Sequence, residues 1–589
     1  MLNRILLEKK ISKILDNPIF SILFVTLMML VLLVKIPIEF ETNDDVTILM
    51  SLAGYMTGEP QPFGFFIGYP LGYIISSLYR INQNLPWYTI FALFSIWLSL
   101  IVIVRCFCKI AKKSIGKILM YCLFFMIFLS FILYSVVRLQ FTTTGAVCGA
   151  SVIILLLADN DTMSLLERVI NTMLMCILFF ICFNFRFPVG YICLAIIIFV
   201  CAYRWVNKDI SKKKIILNLF FVIAIFTASF ISNDIYNNKT DGILDFLEYN
   251  KQRTLFFDYP HLSYDQAKDV YESVGWDKNL YDMVEKYFFM DKNYNIEALE
   301  TINNNSVKHS ITTRVVNVFL LFLKNSRIRL VTLCLIIFSI LLIILTKKYK
   351  FLIFDSFSVI GLFLGCCLAL AALAYSERLP WRVINTIVIL CIIPAIFILV
   401  KIIQKIWNSI YTGTDVLCFN YNKYNGIQLT ANNKMFSLFK ITLIFSIIMF
   451  FFSANGVKSF YKRNDKSESV NISKKIDEFC INNQEDLFII DNSSVDYMFD
   501  PFQVYPDKKP INHFRWGSWF DFSPMYYQKL EINGYEELYS DSFFDKNIYF
   551  IGRYKTNEFL INYMNKKFPG CVCKVISDKN DFVVYRFDK

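Results

Sequence analysis

The segment Glu41-Thr-Asn-Asp-Asp45 places three carboxylates within five residues, directly after a long apolar run. Carboxylates held at a membrane surface can serve as a general base or hold a divalent cation. They also suit an acidic helix start, with Asn43 or Asp44 capping a helix that follows. A second set of charges is basic: Arg138, then Arg186 in Asn184-Phe-Arg-Phe-Pro188, then Arg378 and Arg382 in Ser376-Glu-Arg-Leu-Pro-Trp-Arg382. These fall in short connections where the positive-inside bias predicts few basic residues. A guanidinium fork matches phosphate oxygens. Snorkelling to lipid headgroups, or a pair with Glu377, are the ordinary alternatives. Together the two sets suggest a surface site where a carboxylate activates a hydroxyl and arginines hold a lipid phosphate.

Eleven apolar segments must position these residues, near 19–40, 86–108, 118–136, 141–158, 169–185, 187–203, 214–232, 328–346, 351–375, 380–401 and 436–454. Hydrophobic residues make up 56% of the chain and charged ones 18%. The segments are apolar all round and long enough to cross a bilayer core of about 30 Å. The reading is a polytopic α-helical membrane protein. The net charge of +12 does not point to nucleic acid, because the lysines and arginines concentrate between spans, where they set topology. The basic N-terminus, Lys109–Lys117, Arg204–Lys214 and Lys347–Lys350 all fall on one side if the first span runs outward. That orientation leaves residues 41–86, 232–327 and the chain beyond 454 outside. Abundant Lys, Asn, Ile and Phe suggest an A/T-rich bacterial source and hence a plasma membrane.

The long connections have structure of their own. In 41–86, an amphipathic stretch from Val46 to Met56 and a Gly- and Pro-broken apolar stretch from Phe63 to Tyr79 suggest two short helices lying on the membrane. In 232–327, Ser263-x-x-Gln266 is a capping-box start, with short helices expected near 264–274 and 277–289. Beyond 454, apolar runs at 486–491, 547–552 and 581–587 read as strands separated by helices near 470–482 and 555–566. This predicts a small α/β domain over 455–589 after a transmembrane domain over 1–454. Cys571-x-Cys573 fits one face of a strand and no zinc pattern.

The plan resembles the GT-C superfamily of integral-membrane glycosyltransferases, nearest to those that use polyprenyl-phosphate sugars, such as protein O-mannosyltransferases and the aminoarabinose transferase of lipid A. The residues that carry the resemblance are Thr42-Asn-Asp-Asp45, Thr57-Gly-x-Pro60, Tyr69-Pro-Leu-Gly72, Leu78-Tyr79 and Trp87-Tyr88, together with the long connection after span seven. They also resemble uncharacterised Gram-positive membrane proteins of this type. The resemblance implies transfer of a sugar from a polyprenyl-phosphate donor to an extracytoplasmic glycan, lipid or protein, with Asp44 as base and Asp45 orienting it. Arg138, Arg186, Arg378 and Arg382 would bind the donor phosphate. The second acidic motif of oligosaccharyltransferases is absent between spans three and four, so the need for a divalent cation stays open. A lipid or polysaccharide transporter would instead put charges deep in spans and repeat its halves. A non-catalytic assembly protein would leave Asp44 dispensable.

Overall fold

The structure, a computed structural model, describes residues 2–208, 210–305, 310–412 and 431–589, and the side chains among them except 2–5, 348, 410–412 and 431–444. Among the described residues, ten helices are long and apolar enough to cross a membrane: Pro18–Lys35, Trp87–Ile110, Ser114–Val137, Phe141–Ala158, Leu165–Phe185, Phe187–Asn207, Lys212–Lys239, Ser326–Lys347, Lys350–Tyr375 and Trp381–Ser409. They coincide with expected segments one to ten. The expected eleventh falls within the helix Ala431–Tyr461, part of whose side chains lie outside the described residues. The basic loop before it, 413–430, lies outside them altogether. The first span ends at Lys35, short of the expected 40. Pro37 bars the residue before it from helical backbone, and Ile36 is extended at φ −133°, ψ 124°.

Contacts divide the chain into two compact units. One comprises residues 1–38, 92–227 and 315–463, and the other 39–91, 228–314 and 464–589. The expected boundary at 454/455 follows chain order, whereas these units cut across it. The C-terminal segment shares a core with both long connections.

In the helical unit, Phe141–Ala158 is buried along nearly its whole length. It packs against Leu165–Phe185, Phe187–Asn207 and Trp381–Thr412. The last carbonyls of a helix have no partner within it, and basic side chains meet them here. Arg204 donates to the carbonyls of Leu156 and Asp159, and Lys401 Nζ donates to that of Leu157 at 2.9 Å.

The third span carries a π-turn at Phe128–Ile132. Such a turn displaces carbonyls from the i→i−4 ladder, and buried carbonyls need donors from elsewhere. Arg327 Nη2 donates to the Ser130 carbonyl at 2.6 Å and Nη1 to Asn385 Oδ1, with the guanidinium 4.8 Å from the centroid of Trp381. Helix Ala431–Tyr461 reaches the same turn, where Ser453 Oγ lies 3.1 Å from Ser130 Oγ.

The other unit contains a five-stranded mixed sheet. Its strands are β1 (Leu487–Ile490), β2 (His513–Arg515), β3 (Ile548–Gly552), β4 (Val572–Asp578) and β5 (Val583–Asp588), in spatial order β2-β1-β3-β5-β4. β1 is parallel to both β2 and β3, while β5 is antiparallel to β3 and β4. β1, β3 and β5 are the three expected strands. Helices Ser467–Asn482 and Glu558–Lys567 match the expected pair. In the second connection the capping box at Ser263 and Gln266 is formed. Helices Ile243–Asp258 and Ile296–Asn304 add to those anticipated there.

A Cβ added at Gly456 would stand 2.1 Å from the Leu129 carbonyl oxygen and 2.8 Å from Ser130 Cα. Only glycine lets the last helix touch the π-turn. Gly456→Ala should lower stability by about 1–3 kcal/mol, as overpacking does, and reduce the thermal unfolding temperature in detergent. An unchanged temperature would mean the two helices separate at no cost.

Candidate functional site

Thr42 is extended at φ −134°, ψ 159° and starts the helix Asn43–Leu52. Neither Asn43 nor Asp44 is therefore the cap. Asp44 and Asp45 sit in the first turn, where the macrodipole favours negative charge. Every residue from Asp44 to Leu52 is buried. The expected surface helix with one face on the membrane is thus a buried helix. The second stretch, Tyr69–Ile81, does have exposed Tyr73, Ile74 and Ile81 opposite buried Leu71, Ile75 and Tyr79.

The residues behind the family resemblance meet here. Tyr88 donates its hydroxyl to Asp45 Oδ1 at 2.8 Å, and Thr42 Oγ1 lies 3.4 Å from Asp45 Oδ2. The Tyr88 amide donates to the Tyr79 hydroxyl at 3.2 Å. A Cβ on Gly72 would lie 2.0 Å from the Pro62 carbonyl oxygen, so the turn after Pro60 closes on the helix only with glycine at that position. Asp45, fully enclosed, is fixed by this frame.

Beside it a cation arrives from the C-terminal segment. Arg515 ends β2 and is buried. Its Nη2 donates to Thr47 Oγ1 at 3.0 Å, and Thr47 Oγ1 donates to the Asn43 carbonyl at 3.0 Å. Burial pushes the Arg515 guanidinium down from its ordinary range, while the charges of Tyr497, Asp521, Asp477 and Asp44 oppose that shift. Behind Arg515, Asp477 accepts from the hydroxyls of Tyr497 at 2.6 Å and Tyr505 at 2.9 Å. His513 Nε2 lies 3.2 Å from Asp477, and burial holds its imidazole down to about 4.

Arg253, from helix Ile243–Asp258, is also buried. It donates to the carbonyls of Ser518 at 2.9 Å and Trp519 at 3.2 Å, with its guanidinium 4.4 Å from the centroid of Trp519. Asp521 is enclosed nearby, and neither carboxylate oxygen has a well-aligned hydrogen-bond partner among the described residues. Burial pushes its carboxyl up to about 7, against the pull of Arg253, Arg515 and the Ser518 and Gly517 amides.

The four sequence-predicted arginines belong to the helical unit. Arg138 is buried and leads into Phe141–Ala158. Arg186, between two helices, sits 5.6 Å from the Phe141 centroid. Arg382 lies in the first turn of Trp381–Thr412. That turn is beside the end of the third span, since Asn385 Nδ2 donates to Ser135 Oγ at 3.1 Å and Trp381 packs edge-on to Tyr134. Arg378 is in the connection just before it, where Glu377 accepts from Asn317 at 3.3 Å. The arginines therefore gather at one end of the helical unit, with Arg327 among them. Asp44 and Asp45 belong to the other unit. Among the described residues no three His, Cys, Asp or Glu side chains group as a metal site, so the Asp pair would supply only part of a cation's shell.

Sequence reasoning missed Arg515, Arg253, Arg327 and Asp521. The run His513-Phe-Arg-Trp-Gly-Ser-Trp-Phe-Asp521 carried a signal, since charges embedded among aromatics are buried and must be matched.

No protein-family model matches the chain, and no curated protein does. Its fold is similar to two crystal structures of ArnT from Cupriavidus metallidurans, one in the apo state and one bound to undecaprenyl phosphate. The identity is 10% in both, the cover is 96% of this chain and 97% of ArnT, and the TM-scores are 0.45 and 0.44.

Asp521 should leave a pH signature. Its unfolded carboxyl loses the proton near 3.8 and its folded one near 7. Its contribution to stability is therefore full below about 4 and is lost as pH rises to about 7. Asp521→Asn removes that loss, so raising pH from 4.5 to 7.5 should shift the unfolding temperature of the variant upward relative to the parent. A constant difference across this range would show that Asp521 titrates alike in both states.

Proposed function

We propose that the protein is a membrane glycosyltransferase of the GT-C type, moving a sugar from a polyprenyl-phosphate donor to an acceptor outside the cytoplasm. The observation that carries this reading is the buried pair Asp44–Asp45. An enclosed carboxylate is costly, and two in succession, with one of them pinned by Tyr88 and Thr42, suit a base held by an oriented neighbour. The alternation of spans adds support, since the segments of 39–91, 228–314 and 464–589 follow the first, seventh and last helices. All three then enter one compartment, which the basic connections make the outer one.

In this mechanism the acceptor hydroxyl attacks the anomeric carbon as the bond to the phosphate oxygen breaks. Asp44 takes the hydroxyl proton. Asp45, already accepting from Tyr88, holds the helix start in register, and Arg515 balances the local charge. Arg138, Arg186, Arg378 and Arg382 neutralise the phosphate that departs on the lipid. One displacement inverts the anomeric carbon. A transporter reading is less favoured, because Arg138, Arg186, Arg378 and Arg382 lie at the ends of spans or between them and not in their middles. The assembly-protein reading gives the enclosed Asp pair only a structural role, as the charged start of its helix.

Asp44→Asn should reduce sugar transfer in proteoliposomes by about 10²–10⁴-fold with an unchanged elution profile. Asp45→Asn should reduce it less. Wild-type turnover in both variants would remove the basis of the proposal. For the arginines, Arg382→Lys keeps the charge but loses the fork. It should raise the donor concentration needed for half-maximal rate more than it changes the unfolding temperature.

A further inference from the structure

Away from the Asp pair, a cleft of about 710 Å³ opens within the unit that holds the five-stranded sheet. That is within the roughly 300–1,000 Å³ of pockets that enclose small ligands. One wall is the start of helix Ile243–Asp258 and the other is the chain around Pro524–Ile532. Its depth is aromatic. Tyr249 packs edge-on to Phe522 at 5.1 Å between centroids, and the Tyr249 hydroxyl donates to that of Tyr294 at 3.3 Å. Tyr527, 47% exposed, and Tyr539, half-buried, also line the cleft.

The polar wall is acidic. Asp241, Asp245 and Glu248 line it, and among the described residues no lysine or arginine does. Glu248 is held by Lys251 at 2.9 Å and Gln252 at 3.1 Å, whereas Asp241 and Asp245 are exposed. Phosphate or a phosphodiester would be repelled from this wall, so the cleft is unsuited to the lipid donor. Aromatic faces with polar rims accept the C–H face of a pyranose ring while their hydroxyls bond its edge. Carboxylates accept from sugar hydroxyls and, more strongly, from an ammonium group.

We propose that this cleft binds a short glycan carrying a free amino group, and that it holds the acceptor chain. The assignment of binding stands on the cleft alone, while the acceptor role rests on the glycosyltransferase reading. The negative wall supplies the choice of a cationic sugar over a neutral or N-acetylated one, and the aromatic floor supplies the choice of a ring over a linear amine.

The test is calorimetric titration of the full chain in detergent at pH 6 with the glucosamine trimer and with its N-acetylated counterpart. The amine form should bind at least ten-fold more tightly and weaken with added salt. Asp241→Asn combined with Asp245→Asn should abolish that preference, and Tyr527→Ala should weaken both trimers by about ten-fold with an unchanged unfolding temperature. No heat with either trimer, equal binding of the two, or variants that bind as the parent does would overturn the proposal. Asp44→Asn separates the two readings. It should bind the amine trimer as the parent does while losing transfer. If transfer survives in Asp44→Asn but the trimer binds, the catalytic reading fails and the cleft stands. If transfer is lost and no trimer binds to the parent, the cleft fails and the catalytic reading stands.

Discussion

Buried guanidinium groups hold together parts of this chain that lie far apart in sequence. Arg515 reaches Thr47 across 468 residues, Arg253 reaches Ser518 across 265, and Arg327 reaches Ser130 across 197. A guanidinium taken out of water is tolerable only where oxygen acceptors and aromatic faces replace its hydration. Two of these residues use backbone carbonyls, which fixes the path of the acceptor chain as well as the position of a side chain. Arg327 meets a carbonyl that the π-turn displaces, Arg253 meets a loop between β2 and the helix Pro524–Ile532, and Arg515 steadies the helix bearing the Asp pair. The apolar contacts around them add stability but would permit slippage. Directional donors do not.

The spans were legible because their physics is local. An all-round apolar run of sufficient length has one low-energy fate in lipid, and ten such runs became helices near their expected limits. Errors came where one residue overrides the run. Pro37 cuts the first helix short, and the π-turn at Phe128–Ile132 has no signature in an apolar sequence. In the sheet, β1, β3 and β5 stood out as apolar runs. β2 has only three residues, two of them His513 and Arg515. β4 is mostly exposed and so lacks an apolar alternation. Neither could be distinguished from loop by period.

The site was half legible. The Asp pair and the aromatic residues of 69–88 lie close together in sequence, so their spacing could be read. The hydrogen bonds that join Tyr79, Tyr88 and Asp45 gave those spacings a reason. The setting of Arg515 among aromatics hinted at burial, but its partner Thr47 could not be foreseen, since the two meet only after segments far apart in sequence share a core. The same holds for the reassignment of helix Asn43–Leu52 from membrane surface to interior. Its composition suits either place, and what encloses it is encoded elsewhere.

A unit assembled from three segments has a consequence for biosynthesis. At about 5–20 residues per second, Arg515 leaves the ribosome on the order of half a minute to a minute and a half after Thr47. Throughout that interval the helix bearing Asp44 and Asp45 waits without the strand that supports it. A chain that stops early, even after its last membrane helix, never completes the surroundings of its acidic pair. Folding of this unit is thus tied to the arrival of residues 464–589, the last of its three segments to be made.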